Sequence, residues 1–415
     1  MIGTITPAEW SDEIDQLTGR AVRRYTDGRS NSYPLYYFTP SITADGRYLV
    51  FHSERSGEVQ LYRLDLVSGE IGQLTDGHTY DSGWAIWCVW HLDGIFTHLS
   101  ALHPTNGEVW YFQDADIRAT HVTSFADRRV ADLPAGRISV GQSAFSPDGK
   151  WFAYIHCDAV LYRRLMADRE QRLRAGTFDW TRDHQAFRSA LPATLELIET
   201  ATGLSRAVVV ADYHFHHVLF VDNTTMLVNH PKSTVGMWVV NIDGSGVRQL
   251  RPDSAPGAHD SMVNHQVITA RGIAYEAVAY HADGSRDTYL GRYDFNTDRF
   301  AERHLPTDGY VHVGWDPAGR LDFVENAGRE HAILLVQSSE SAAASTPTEV
   351  LRLLHSPDHN DQRHHAHPFL APDRERLFFT DWSDSGHAQI CSIDVRDVVA
   401  AADARFSSQS AAARR

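Results

Sequence analysis

The sequence predicts an all-β protein folded as a seven-bladed β-propeller. Short apolar strands recur with Asp-Gly or Ser-Gly turns between them. The recurring unit is about 40 to 50 residues long, and about seven copies fit the chain. A helical excursion interrupts the third copy. We expect residues 1–399 to form one propeller domain, because closed repeat folds can carry this length as a single unit.

The clearest unit runs from Thr39 to Gly77. It reads as four strands separated by one Asp-Gly turn and two Ser-Gly turns, and glycine accepts the positive φ that tight hairpins need. The other copies lie at or near Ala85–Phe112, Ser143–Ala153, His217–Val228, Val263–Tyr280, Val311–Val324 and His367–Thr380. The last copy is one strand short. The strand predicted at Ala21–Tyr25 can complete it, which would close the ring and remove an open sheet edge.

Four segments depart from the repeat. Residues 1–20 predict a short helical lead-in. Residues 161–190 are rich in arginine and helical in their first half, so they predict an excursion from the third blade. Ser338–Thr348 predicts a flexible loop inside the sixth blade. Residues 400–415 are low in complexity and predict a poorly ordered tail.

Composition limits the possible partners. The net charge of -15 argues against nucleic acid, although a local cationic pocket could still bind an anionic substrate. No segment approaches the roughly 20 apolar residues of a membrane span, and the N-terminus has no secretion signal, so we expect a cytoplasmic protein without a membrane partner. Cys88, Cys157 and Cys391 form neither a metal motif nor a disulfide framework, which indicates buried thiols in a reducing compartment.

The segment His355–Thr380 carries the strongest candidate for a metal site. It contains four histidines close to Gln362, directly before a predicted strand: His359, His364, His365 and His367. Imidazole is the commonest protein ligand of divalent transition metals. Alternate side chains of an extended segment share a face, so His365 and His367 should point the same way, and a turn could bring Gln362 alongside. Local composition alone equally allows a solvated histidine-rich loop.

Histidines recur where the first strands of other units begin. These are His216, His217 and His265, while His230 ends the second strand of the fourth unit. A single such histidine is more often structural. Recurrence at equivalent repeat positions favours a shared site, because the innermost strands of a propeller meet at the central channel.

The element Gln362-x-x-His365-x-His367-Pro368 resembles the metal-binding signature of the oligogalacturonate lyases, which are seven-bladed propeller enzymes that use manganese. The likeness extends to YYFTPSITADGRYLVF in the first unit and to MWVVNIDGSGVRQL followed by NHQV. It covers most of the chain.

The resemblance implies roles for individual residues. The ligands of Mn²⁺ or another divalent cation would be His265, Gln362, His365 and His367. His230 would be the catalytic base, although His230-Pro231-Lys232 stands where the family has His-Glu-Gly. The strand after the helical excursion lacks the family's arginine, which leaves Arg206 as a candidate for the charge-stabilising role.

These residue types suit the cleavage of uronate sugars. A divalent cation can neutralise a uronate carboxylate, and a neutral histidine can then remove the adjacent C5 proton. We therefore expect a lyase that cleaves short oligogalacturonides by β-elimination, with a small anionic oligosaccharide as substrate. One alternative is the same metal propeller acting on another uronate or glycoside, which the altered base region favours. The other is a non-enzymatic interaction propeller, since SPDGKWFAY also resembles Tol-system proteins; a set of convergent ligands favours the enzyme. The sequence does not indicate an oligomeric state.

Overall fold

The computed structural model of the chain describes residues 1–16, 18–78, 95–179, 182–215, 217–229, 236–251, 261–281, 285–305, 311–326, 332–337, 349–355 and 365–413. The strands form seven antiparallel sheets of four or five strands each, one sheet per blade. The predicted fold, an all-β seven-bladed propeller, is confirmed. In the described part of the chain, no helix is both long and apolar enough to cross a membrane.

The first three blades follow one another along the chain. An N-terminal segment contains β1 (Ile5–Thr6), β2 (Ser11–Ile14) and β3 (Ala21–Arg24). Blade one contains β4 (Ser32–Pro34), β5 (Tyr48–Ser53), β6 (Gln60–Asp65) and β7 (Ile71–Gln73). Blade two contains β8 (Ile95–Leu102), β9 (Glu108–Gln113), β10 (Asp116–His121) and β11 (Asp127–Asp132). Blade three contains β12 (Arg137–Ser139), β13 (Ala144–Phe145), β14 (Trp151–Asp158), α1 (Ala159–Arg174), α2 (Arg182–Ala190), β15 (Ala193–Glu199) and β16 (Ser205–Ala211).

The remaining four blades complete the ring. Blade four contains β17 (Val218–Phe220), β18 (Thr225–Val228), β19 (Trp238–Asn241) and β20 (Arg248–Gln249). Blade five contains β21 (Ser261–Thr269), β22 (Gly272–Tyr280), β23 (Arg286–Asp294) and β24 (Arg299–Leu305). Blade six contains β25 (Val311–Val313), β26 (Asp322–Asn326), β27 (Ala332–Gln337) and β28 (Glu349–His355). The last elements of the chain are β29 (Phe369–Leu370), β30 (Arg376–Trp382), β31 (Ala388–Asp394) and α3 (Arg396–Ala413).

Blade seven is built from both ends of the described chain. Its strand order is β2-β3-β31-β30-β29, with Val22 of β3 opposite Ile393 of β31. An ion pair of 2.9 Å between Arg24 and Asp381 joins the same two parts of the chain. The prediction that the strand near Ala21–Tyr25 completes the last unit is confirmed, and this pairing leaves β31 with no open edge.

The helical lead-in predicted for residues 1–20 is wrong. The segment contains β1 and β2, which extend two different blades as outermost strands. Ile5 of β1 pairs with Gly72 of blade one, and Glu13 of β2 pairs with Val22 of blade seven. Pairing with an existing sheet edge satisfies the backbone of these short segments, so local helix preference does not decide their structure.

The predicted excursion from blade three is present as α1 and α2, which connect β14 to β15. Asp158 begins α1 as its N-cap, and its carboxylate accepts a hydrogen bond of 2.7 Å from the backbone N–H of Leu161. Arg172 of α1 forms an ion pair of 2.6 Å with Asp183 of α2, which ties the two helices together.

A helix, α3, stands where low complexity predicted a poorly ordered tail. Val398 and Ala402 are buried in the apolar cluster of blade seven, at helical spacing. Arg374 forms an ion pair of 3.0 Å with Asp403 of the same helix. The buried side chains and this ion pair attach the first half of α3 to blade seven, which its composition alone does not indicate. The loop predicted at Ser338–Thr348 lies outside the described residues.

Apolar side chains between neighbouring blades hold the ring together. One buried cluster joins Leu49 and Phe51 of blade one to Phe378 of blade seven. Another includes Trp110 of blade two and Phe152 of blade three, whose ring centroids are 4.9 Å apart. Each large apolar side chain that is fully buried contributes about 1.5–3 kcal/mol, so these contacts fix the blades and the strands that line the centre.

Candidate metal centre

Four histidines from three successive blades meet at the centre of the ring. His265 comes from β21, His312 from β25, and His365 and His367 precede β29. The His312 ring centroid lies 4.0 Å from that of His265 and 4.5 Å from those of His365 and His367. The His365 and His367 centroids are 5.5 Å apart. Three blades thus bring the imidazoles of His265, His365 and His367 around that of His312.

Two buried glutamates orient these rings from the second strands of blades five and six. The Glu276 carboxylate lies 2.8 Å from Nδ1 of His265. Glu325 lies 2.8 Å from Nδ1 of His365 through one oxygen, and its other oxygen accepts the backbone N–H of His367 at 2.9 Å. The same oxygen is 3.3 Å from Nδ1 of His312. Both carboxylates therefore contact the Nδ1 side of the rings.

The charge state of the cluster follows from its burial. Burial alone would raise the pKa of Glu325, but the neighbouring His365 and His312 hold it well below its usual value. Burial, followed by the nearby ring of His265, lowers the pKa of His312 well below its usual value. Burial lowers the pKa of His367 to about 3. At neutral pH, Glu325 is ionised, and His312 and His367 are neutral.

The ionised state of Glu325 selects one tautomer of the imidazole of His365. An ionised carboxylate only accepts hydrogen bonds, so Nδ1 of His365 carries the proton and donates it to Glu325. The lone pair is then on Nε2, which is the arrangement that metal-ligating histidines adopt when a carboxylate supports them. One ligand atom each of His312, Glu325 and His365 lie within 4.8 Å of one another. Neutral imidazoles with supporting carboxylates are a donor set that fits a divalent cation.

The backbone is strained at two of the four histidines. His265 has φ of 53° and His367 has φ of 46°, both in the left-handed region. Side chains other than glycine occupy this region at a cost of about 1–3 kcal/mol, and such positions cluster at functional sites. At His265 the strain coincides with a bulge in the pairing of β21 with β22. The strain thus occurs where the chain positions rings of the cluster.

A short aromatic segment of blade one packs against the cluster. The ring of Tyr37 stacks on His367, with centroids 5.2 Å apart and planes 18° apart, and lies 5.5 Å from His312. Tyr36 is 5.1 Å from His367, and Phe38 is 5.3 Å from His217 of blade four. This segment covers part of the histidine cluster.

The structure brings only some of the predicted site residues together. His265, His365 and His367 lie together in the cluster, while metal binding itself stays a prediction. Gln362 and His230 lie outside the described residues, as do the other candidates of these segments, His216, His359 and His364. Arg206 is exposed on β16, the outermost strand of blade three, with its guanidinium 5.2 Å from the centroid of the Trp151 ring. The structure does not bring Arg206 together with the central histidines.

Sequence reasoning missed His312, Glu276 and Glu325. The signal for His312 was present, because HVGWDP aligns with HPFLAP when the turns of the two units are superposed, which places His312 opposite His367. The two glutamates have no such signal, since neither belongs to a recognisable motif in the sequence. Cross-strand pairing reveals Glu325 as the partner of His312 and Glu276 as the partner of Asn264, one residue before His265.

Fold and cluster together define a seven-bladed propeller protein with the donor set of a divalent-metal site at its centre. No model of a known protein family matches the chain. The curated oligogalacturonate lyase of Dickeya dadantii (strain 3937) is 22% identical over 391 residues, which is 88% of this chain and 91% of that protein. The curated oligogalacturonide lyase of Pectobacterium atrosepticum is 21% identical over 403 residues, which is 91% of this chain and 94% of that protein.

Solved structures share the fold over nearly the whole chain. An oligogalacturonate lyase from Vibrio parahaemolyticus has a TM-score of 0.74 at 16% identity, covering 96% of this chain and 100% of that one. An oligogalacturonate lyase in complex with manganese has a TM-score of 0.73 at 18% identity, covering 95% and 98%. The predicted resemblance to the oligogalacturonate lyases is confirmed.

Proposed function

We propose that this protein is a metal-dependent lyase that cleaves short oligogalacturonides by β-elimination. The observation that carries the proposal is the cluster of four histidines with Nδ1-bound glutamates at the centre of the propeller. The relatives over about nine-tenths of the chain are named for this activity, and one solved neighbour is a complex with manganese. We expect Mn²⁺ or a similar divalent cation as the cofactor.

The proposed ligands are His265, His365 and His367, together with Gln362, as the resemblance implies. The position of His312 among them makes it a further candidate ligand. When bound, the cation supplies positive charge that neutralises a uronate carboxylate and thereby raises the acidity of the neighbouring C5–H. Glu325 holds the proton of His365 on Nδ1, so Nε2 of that ring stays available as a ligand, and the Glu276 carboxylate lies 2.8 Å from Nδ1 of His265.

A neutral histidine would take the C5 proton, and His230 is the proposed base. It follows β18 by two residues, next to Asn229, whose side chain accepts the backbone N–H of His217 at 2.9 Å. Loss of the glycosidic oxygen at C4 then leaves a conjugated, unsaturated uronate. We assign no step to Arg206, because it lies on the outer strand of blade three.

The test is a spectroscopic assay of elimination. The protein is incubated with digalacturonate and Mn²⁺, and the conjugated product is followed by its absorbance near 235 nm, an approximate wavelength for such products. We expect a rise in absorbance that a metal chelator abolishes. His230→Ala should keep the metal and lose turnover, because only the proton acceptor is removed.

Two results would contradict the proposal. A wild-type protein that binds Mn²⁺ but gives no product from digalacturonate or longer galacturonides would exclude this substrate class, and product from another uronate would then identify the alternative reaction. Full activity after chelation would exclude the role of the cation.

A further inference from the structure

Blades three to seven each carry a polar residue at one shared position, in or just before the innermost strand. In blades three, six and seven the first hairpin turn is closed by the same bond, from an N–H to the carbonyl three residues earlier: Gly149 to Ser146, Gly319 to Asp316 and Arg374 to Ala371. Four residues before those carbonyls stand Gln142, His312 and His367. His217 of blade four and His265 of blade five occupy the corresponding position, four residues before Val221 and Thr269.

Contacts show that this position lines the centre of the ring. His265, His312 and His367 belong to the metal centre. His217 lies 5.3 Å from Phe38 and 6.3 Å from Tyr36, centroid to centroid, and Tyr36 in turn contacts His367. By the same register, Gln142 is the central residue of blade three, next to His217 around the ring.

Gln142 is buried without an internal partner. Its exposed fraction is 2%, and among the residues that the structure describes neither its amide nitrogen nor its amide oxygen has a hydrogen-bond partner. Buried amides are almost always hydrogen-bonded, because an unsatisfied one destabilises the fold. A donor and an acceptor held at the centre of the ring are therefore available to a ligand.

The two halves of the ring differ in charge. Blades five and six place Glu276 and Glu325 behind their histidines. In blade four the neutral amide of Asn229 accepts the backbone N–H of His217, and blade three contributes the amide of Gln142 itself. One half thus suits a cation and an anionic group bound to it, whereas the other offers neutral hydrogen-bonding groups beside the rings of Tyr36 and Phe38.

We infer that Gln142 and His217, with Tyr36 and Phe38, form a binding subsite for the second sugar ring of the substrate, next to the ring whose carboxylate lies at the metal centre. An amide can donate to one hydroxyl of a pyranose and accept from its neighbour, and an aromatic ring can pack on the C–H face of the sugar. This assignment rests on the proposed function. It makes Gln142 a specificity-determining residue for chain length rather than a participant in proton transfer.

The test compares Gln142→Leu with the wild-type holoenzyme. Leucine matches the amide in size but cannot bond a hydroxyl, so we expect the KM for digalacturonate to rise about tenfold or more. The kcat, the bound Mn²⁺ and the inhibition constant of the galacturonate monomer should change by less than about twofold, because the monomer reaches only the metal half. The thermal midpoint should hold or rise, since the variant removes an unsatisfied amide.

Gln60→Leu is the matched control. Gln60, in β6, the third strand of blade one, is also a buried glutamine. Its amide oxygen, however, accepts a hydrogen bond of 2.8 Å from the Thr75 hydroxyl. Its replacement should lower the thermal midpoint and leave both saccharide constants unchanged. An unchanged KM in Gln142→Leu, or equal shifts for monomer and dimer, overturns the subsite while leaving the proposed lyase intact. A wild-type protein that cleaves no galacturonide overturns both.

Discussion

Replacing Glu325 by glutamine is expected to weaken Mn²⁺ binding about 10- to 100-fold. Glu325 of blade six makes two contacts with the segment before β29 of blade seven: one oxygen faces Nδ1 of His365 at 2.8 Å, and the other accepts the backbone N–H of His367 at 2.9 Å. Glutamine has nearly the same shape, but it keeps only one acceptor oxygen and converts the other atom into a donor. The variant therefore tests charge and proton placement with little change in volume.

The magnitude follows from which bond is lost. If the amide oxygen faces His365, the N–H of His367 loses its acceptor, which costs about 1–3 kcal/mol of unfolding free energy. If the amide nitrogen faces His365 instead, that ring must move its proton to Nε2, which removes the lone pair that a cation needs. A 10- to 100-fold loss of affinity corresponds to about 1.4–2.7 kcal/mol.

The assay is calorimetric titration of Mn²⁺ into metal-free protein, with the thermal midpoint measured on the same samples. Glu302→Gln is the control, because Glu302 is a buried carboxylate of blade five that bonds Arg251 and Tyr275 (3.0 Å from the hydroxyl) away from the cluster. It should lower stability and keep the Mn²⁺ affinity of the wild type. Wild-type affinity in Glu325→Gln, or an equal loss in both variants, would refute the orienting role.

Four further outcomes are expected. His365→Ala should lose bound metal by elemental analysis, because its ring is central to the proposed ligand set, and wild-type metal content would contradict this assignment. Arg206→Ala should change kcat/KM by less than about twofold, since its side chain is exposed over Trp151, and a large loss would show that it reaches the substrate. Metal-free protein should bind Zn²⁺ or Ni²⁺ more tightly than Mn²⁺ in competition titrations, as nitrogen donors follow the Irving–Williams order. Burial lowers the pKa of His52 to about 3, so only the unfolded state takes up its proton between about pH 6.5 and 3. As the pH is lowered through this range, the free energy of unfolding should fall by up to about 1.4 kcal/mol per pH unit. Chemical denaturation should show a smaller fall in His52→Leu, and parallel curves for the two proteins would refute this.

The repeat pattern predicted the architecture because each blade is a local unit. Asp45-Gly46 and similar turns appear in the sequence next to the strands they join, and Gly46 indeed has φ of 72° and closes its turn with a bond of 2.8 Å to Thr43. The missing strand of the last unit could also be predicted, because a ring with an open edge is unfavourable. By contrast, β1 pairs with residues 65 to 67 positions away, and β2 pairs with β3, 7 to 13 positions away, so neither strand follows from its own residues alone.

Predictions for the site succeeded where residues cluster in sequence and failed where they cluster only in space. His365 and His367 stand in one short motif, and a resemblance added His265. His312 looked like an ordinary strand residue until its register in the ring was known. Glu325 is 40 residues from His365 and is recognisable as its partner only after β26 has packed beside the last blade. The supporting carboxylates of a metal site are thus the part that sequence spacing conveys least.

The dual origin of blade seven ties the timing of assembly to the site. Strand β3 is synthesised before blade one and β31 after blade six, yet the two strands are neighbours in one sheet. During translation, His365 and His367 therefore have no complete blade-seven sheet next to them until β31 has emerged. A cation held by residues of blades five, six and seven would add a second link between these blades, beside the pairing of β3 with β31. Metal loading and ring closure should then reinforce each other, and a chain cut within β3 should lose both together.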